Sequence, residues 1–176
     1  EVGLDEDPDT LVLPGMTSSG TQSRSDVMGM VYLVEKTARA LHAVHEAGVI
    51  HRDVKPGNVM ITPEGEAVVM DFGLARDEES DLQTLTRSGD VFGTPVYMSP
   101  EQLTSEGVRP DRRTDVWSLG VMLYECVTLR RPFEAPSREG LYHQILSREP
   151  DDPRRLNPSI PRDLATIITT ALEKDR

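Results

Sequence analysis

With a single cysteine in 176 residues, Cys126, the chain can form no internal disulfide. Such sparing use of cysteine suits a reducing compartment. No apolar run approaches the roughly 20 residues of a membrane-spanning helix, and no basic, apolar, small-residue leader opens the chain. The segment is therefore expected to be soluble and cytoplasmic, without membrane contact of its own, although a longer protein could be anchored from elsewhere. Positive charge is also scarce. Nineteen Lys and Arg against thirty Asp and Glu give a net charge of −11. That sign repels phosphate backbones and anionic lipid, which argues against a nucleic-acid or membrane-surface partner. His42 and His45 are three apart, but no further ligand at useful spacing completes a zinc set. What is present is ordinary for one globular domain: 37% hydrophobic and 28% charged residues.

Residues 1–25 stand apart. Acidic residues crowd the first ten positions and Ser, Thr and Gly follow, so a solvated, poorly structured lead-in is expected, with Leu11-Val12-Leu13 as its one candidate edge strand. From Ser25, read as a helix cap, Val27, Met30, Val31, Val34, Ala38 and Leu41 recur at helical spacing as far as Gly48. Val59–Thr62 and Ala67–Met70 flank Pro63-Glu64-Gly65-Glu66 and read as a small hairpin. Residues 71–101 form a long connection, a length that usually carries function. A helix over 114–129 is apolar almost all round and so belongs inside a core, ended by Arg131-Pro132-Phe133. A shorter surface helix over 137–148 and an amphipathic helix after Pro161 close the chain. Cys126 falls within the apolar helix and is expected to be an inert core residue. The architecture is α+β, mostly helical, with one hairpin carrying polar residues at both ends.

Those polar residues carry the chemistry. Asn58 just precedes the first hairpin strand and Asp71 just follows the second, so the hairpin brings their oxygens towards one hard cation. Mg²⁺ needs only one or two side-chain oxygens when phosphates and waters complete its shell. Asp53, on the preceding loop, is placed to accept a proton from an incoming hydroxyl, and Lys55 to set positive charge on transferring phosphate oxygens.

His51-Arg52-Asp53-Val54-Lys55-Pro56-Gly57-Asn58 resembles the catalytic loop of protein kinases, with Val where Leu is common. Asp71-Phe72-Gly73 is similar to the family's metal-binding triplet, and Ser99-Pro100-Glu101 to the triplet that ends the activation segment. Gly93-Thr94-Pro95-Val96-Tyr97 fits the substrate-positioning loop, and Asp115-Val116-Trp117-Ser118-Leu119-Gly120 the start of the central buried helix. The five motifs keep the family's order. The wording particularly resembles that of bacterial Ser/Thr kinases of the eukaryotic type.

The resemblance implies a fold and roles. The fold is the C-terminal lobe of a protein kinase over residues 26–176, with the N-terminal lobe absent and the C-terminal end cut. Asp53 would be the catalytic base or the group that orients the hydroxyl, Asp71 and Asn58 the Mg²⁺ ligands, and Lys55 the γ-phosphate contact. Thr94 would bridge Asp53 and Lys55, and Met60 would lie under the adenine. His51 and Phe72 would stack in a spine anchored by Asp115. Glu101 would pair with an Arg near the domain's end. Arg52 beside Asp53 is the arrangement of kinases switched on by activation-loop phosphorylation. The phosphosite candidates are Thr86 and Ser88, then Thr84. Glu125 could help to recognise a basic substrate residue. Neither a G-x-G-x-x-G loop nor a strand Lys appears before His51, so these residues alone are expected to transfer little or no phosphate. The implied cofactors are ATP and Mg²⁺, and the implied partners are Ser/Thr-bearing protein substrates and the missing N-terminal lobe. A catalytically silent kinase-like interaction module and a metal-dependent phosphohydrolase are the competing readings.

Overall fold

A computed structural model describes residues 22–72, 95–104 and 110–175. Helix α1 (Arg24–Glu46) starts from Ser23, not Ser25. The reason is local: Asp26 is three residues after Ser23, so a reciprocal box forms, with Asp26 N donating to Ser23 Oγ at 3.2 Å and Ser23 N to Asp26 Oδ2 at 2.9 Å. Val27, Val34, Thr37 and Leu41 form its buried stripe.

A 3₁₀ turn (Pro56–Asn58) leads into β1 (Val59–Ile61), which pairs antiparallel with β2 (Ala67–Val69) in the register Val59↔Val69, Met60↔Val68, Ile61↔Ala67. Gly65, at φ +78°, takes the left-handed position of the connecting turn. A two-stranded hairpin this short is marginal alone. It leans on α1, where Lys36 Nζ donates to Gly65 O and Glu66 Oε1, both at 2.7 Å.

A second 3₁₀ turn (Pro95–Tyr97) precedes the four-residue α2 (Pro100–Leu103). Helix α3 (Arg112–Thr128) follows, capped by Asp111; Arg112, Arg113 and Val116 of its first turns are exposed, and from Gly120 to Val127 every residue is buried. It ends at Leu129, whose φ of +57° returns its N–H to Glu125 O, so the left-handed cap stops the helix before Arg131-Pro132-Phe133 is reached. Helices α4 (Arg138–Ser147), the short α5 (Pro153–Leu156) and α6 (Arg162–Ala171) complete the described residues. Helices α1 and α6 both pack on α3. None of the described helices is long and apolar enough to cross a membrane.

The core is built around α3. The Trp117 and Phe133 rings stack at 5.9 Å with 6° between planes, and Lys174 Nζ lies over both, 4.6 and 4.1 Å from their centroids. Cys126 is buried, and burial pushes its thiol up to about 12, as an inert core thiol requires. Gly120 is where α6 comes closest: a Cβ there would stand 2.8 Å from Ala171 Cβ and 3.2 Å from Leu172 Cδ2. Gly120→Val is accordingly expected to destabilise the lobe by about 2–3 kcal/mol, read as a lower urea midpoint. An unchanged midpoint would mean that α6 can shift away without cost.

Candidate active site

The loop from His51 to Asn58 is held from beneath by Asp115. This carboxylate is fully buried and accepts from His51 N at 2.9 Å, Arg52 N at 2.8 Å and His45 Nε2 at 2.6 Å. A carboxylate only accepts, so His45 carries its proton on Nε2. His45 was legible in the sequence only as half of a discarded zinc pair; its position six residues before His51 gave no sign of this contact. Among the described residues no cluster of three or more His, Cys, Asp and Glu could hold a metal.

His51 links two parts of the site. Its Nε2 lies 2.8 Å from Met70 O and its Nδ1 accepts from Asp53 N at 3.3 Å, which fixes the Nε2–H tautomer. Its ring lies 4.8 Å from that of Phe72. One imidazole thus touches both the peptide that precedes Asp71 and the peptide that carries Asp53.

Asn58 is buried and donates through Nδ2 to Asp53 O at 2.8 Å and Asp53 Oδ2 at 3.0 Å. Lys55 Nζ stands 3.8 Å from the same Oδ2. With Nδ2 spent, Oδ1 is the Asn58 atom left for a cation. Asn58 O accepts from Met70 N at 2.8 Å, closing the hairpin base and setting Asp71 beside Asn58 in the chain's path. Carboxylate and carboxamide oxygens are a hard donor set that fits Mg²⁺. Arg52 and Asp71 are at φ +67° and +54°, two of the three left-handed non-glycine residues described. Such backbone persists only when its surroundings hold it, and it concentrates at functional positions.

The far side of the site is fixed to α3. Glu101 Oε1 accepts from Thr114 Oγ1 at 2.6 Å, and Ser118 Oγ donates to Tyr97 O at 2.7 Å. Glu125 is not available to a basic substrate. It is buried, accepts from Tyr97 OH at 2.6 Å and takes the Arg131 Nε at 3.2 Å. Met60 and its cross-strand partner Val68 are exposed, a small apolar face next to Asn58. Gly73, Thr84, Thr86, Ser88 and Thr94 lie outside the described residues.

The family model of the protein kinase domain matches residues 19–176. The chain belongs to the protein kinase family. Among bacterial kinases, it is 42% identical over 137 residues to a probable serine/threonine-protein kinase of Streptomyces coelicolor and to the probable serine/threonine-protein kinase PknB of Bifidobacterium longum. The same identity and length relate it to the DNA damage-responsive serine/threonine-protein kinase RqkA of Deinococcus radiodurans. Each match covers 78% of this chain and 20% of the relative, so the chain spans about a fifth of the kinases it resembles. The helical lobe with its two-stranded hairpin is the kinase architecture that the motifs implied.

Proposed function

We propose that this chain is the catalytic lobe of a cytoplasmic Ser/Thr protein kinase, moving the γ-phosphoryl group of ATP to a protein hydroxyl. The observation that carries the reading is the Asn58 carboxamide. By donating to both Asp53 O and Asp53 Oδ2 it places a base and a metal-facing oxygen on one small loop. Asp53 Oδ2 is occupied by Asn58 and faces Lys55. That leaves Oδ1 to accept the acceptor hydroxyl, align its oxygen with the phosphorus and take its proton as the new O–P bond forms and the bond to the leaving diphosphate breaks. Lys55 sets positive charge against the transferring oxygens. Asn58 Oδ1 and the Asp71 carboxylate would hold Mg²⁺, which when bound neutralises phosphate charge. Met60 offers the apolar surface on which an adenine can lie, and Thr94 would hydrogen-bond across Asp53 and Lys55. Thr86 and Ser88, then Thr84, are the proposed sites of activating phosphorylation. The chain by itself, without a glycine-rich loop and strand Lys, would transfer little phosphate.

The test is an assay of the whole protein in which this chain occurs, given labelled ATP with a Ser/Thr peptide or with the Tyr version of that peptide. Label is expected on the Ser/Thr peptide at least about tenfold faster than on the Tyr version or than free phosphate release. Label appearing only as inorganic phosphate would replace the kinase reading with a phosphohydrolase. No turnover by a folded, nucleotide-binding protein would favour a silent interaction module.

A further inference from the structure

Gln102, the third residue of α2, is a polar side chain near Asp53 to which the preceding mechanism gives no part. Its Oε1 accepts from Ser99 N at 3.0 Å and Ser99 Oγ at 3.2 Å, completing the cap of that short helix. Its Nε2 donates to Arg52 O at 2.8 Å. A backbone N–H at one end and a carbonyl at the other fix which way the carboxamide faces. Arg52 O belongs to the peptide joining Arg52 to Asp53, and Arg52 holds the φ of +67° that side chains resist.

That peptide and its neighbour have other holds. Arg52 N is fixed by Asp115 and Asp53 N by His51, both within the loop and α3. The Gln102 hold is different, because it reaches in from Pro95–Leu103, the segment that carries the motif for seating the acceptor. Rotation of the Arg52–Asp53 peptide plane would swing the Asp53 side chain. We propose that Gln102 is a positioning residue that clamps this peptide, so that Asp53 is correctly aimed only when the acceptor-seating segment is in place. The proposal rests on the reading of Asp53 as the group that orients the hydroxyl.

Gln102→Glu separates this role from helix capping. Glu at the same place keeps an oxygen for Ser99, since capping boxes use Glu and Gln alike. It removes the Nε2 donor and sets a carboxylate oxygen against Arg52 O. In the whole protein, the expected result is a fall in kcat of about ten- to a hundredfold. KM for ATP and for the peptide should stay within about twofold, and the melting temperature within about 2 °C. Amide hydrogen exchange at Asp53 should rise about tenfold or more while that of α3 is unchanged. Gln102→Met, which removes cap and donor together, should lose the same kcat and also lower the melting temperature. Wild-type kcat in either variant would overturn the proposal, as would a kcat loss with Asp53 exchange unchanged. Failure of the underlying reading is recognised separately: Asp53→Asn would keep its rate, whatever the exchange in Gln102→Glu.

Discussion

Asp53→Asn is expected to lower kcat for peptide phosphorylation by about a thousandfold while KM for ATP stays within about twofold. The substitution keeps shape and one oxygen. That oxygen can still accept from Asn58 Nδ2, so the loop geometry survives. It then turns an NH₂ towards the acceptor hydroxyl, which can neither accept the proton nor hold the oxygen in line. Because Lys55 and Asn58 are untouched, nucleotide affinity is the wrong place to look for the loss. Steady-state transfer by the whole protein, with the melting temperature as a control for folding, makes the measurement. A kcat within about tenfold of wild type would remove Asp53 from the role assigned to it.

Asp115→Ala should have the largest effect on stability. It strips partners from His51 N, Arg52 N and His45 Nε2, all three held by a carboxylate that is itself fully buried. Orphaned buried donors and a lost charge-assisted set together cost about 3–5 kcal/mol. For a lobe of this size that is about 8–15 °C in melting temperature. The variant should also lose activity out of proportion to its folded fraction, because the left-handed Arg52 is then held by fewer contacts. Thermal and urea unfolding give the first quantity, and transfer at a temperature where the variant is folded gives the second. A loss below about 1 kcal/mol would mean that water replaces the carboxylate.

Periodicity was enough for the large elements. The stripe of α1, the all-round apolar α3 and the amphipathic α6 could be placed because burial imposes spacing on many residues at once. Elements set by a few atoms escaped it. The choice of Ser23 over Ser25 turns on one carboxylate three residues on, and the end of α3 turns on a single left-handed leucine rather than on the nearby proline. α2 and α5 are four residues each, too short for any period, although Ser99-Pro100-Glu101-Gln102 does spell a capping box. At the site, residues joined by a motif were legible as a group because neighbours in sequence share one loop. His45, Gln102 and Thr114 were not, since each meets its partner across 70, 50 and 13 residues of chain respectively. Glu125 misled for the same reason: its neighbours in sequence say nothing of Arg131 and Tyr97, which consume its carboxylate.

The arrangement around α3 has a bearing on how the lobe breathes. From Gly120 to Val127 this rod has no solvent-facing edge from which to fray. Water can then reach its inner amides only when the packing around it parts as a unit. The amides of that stretch are therefore expected to exchange more slowly than those of the short hairpin.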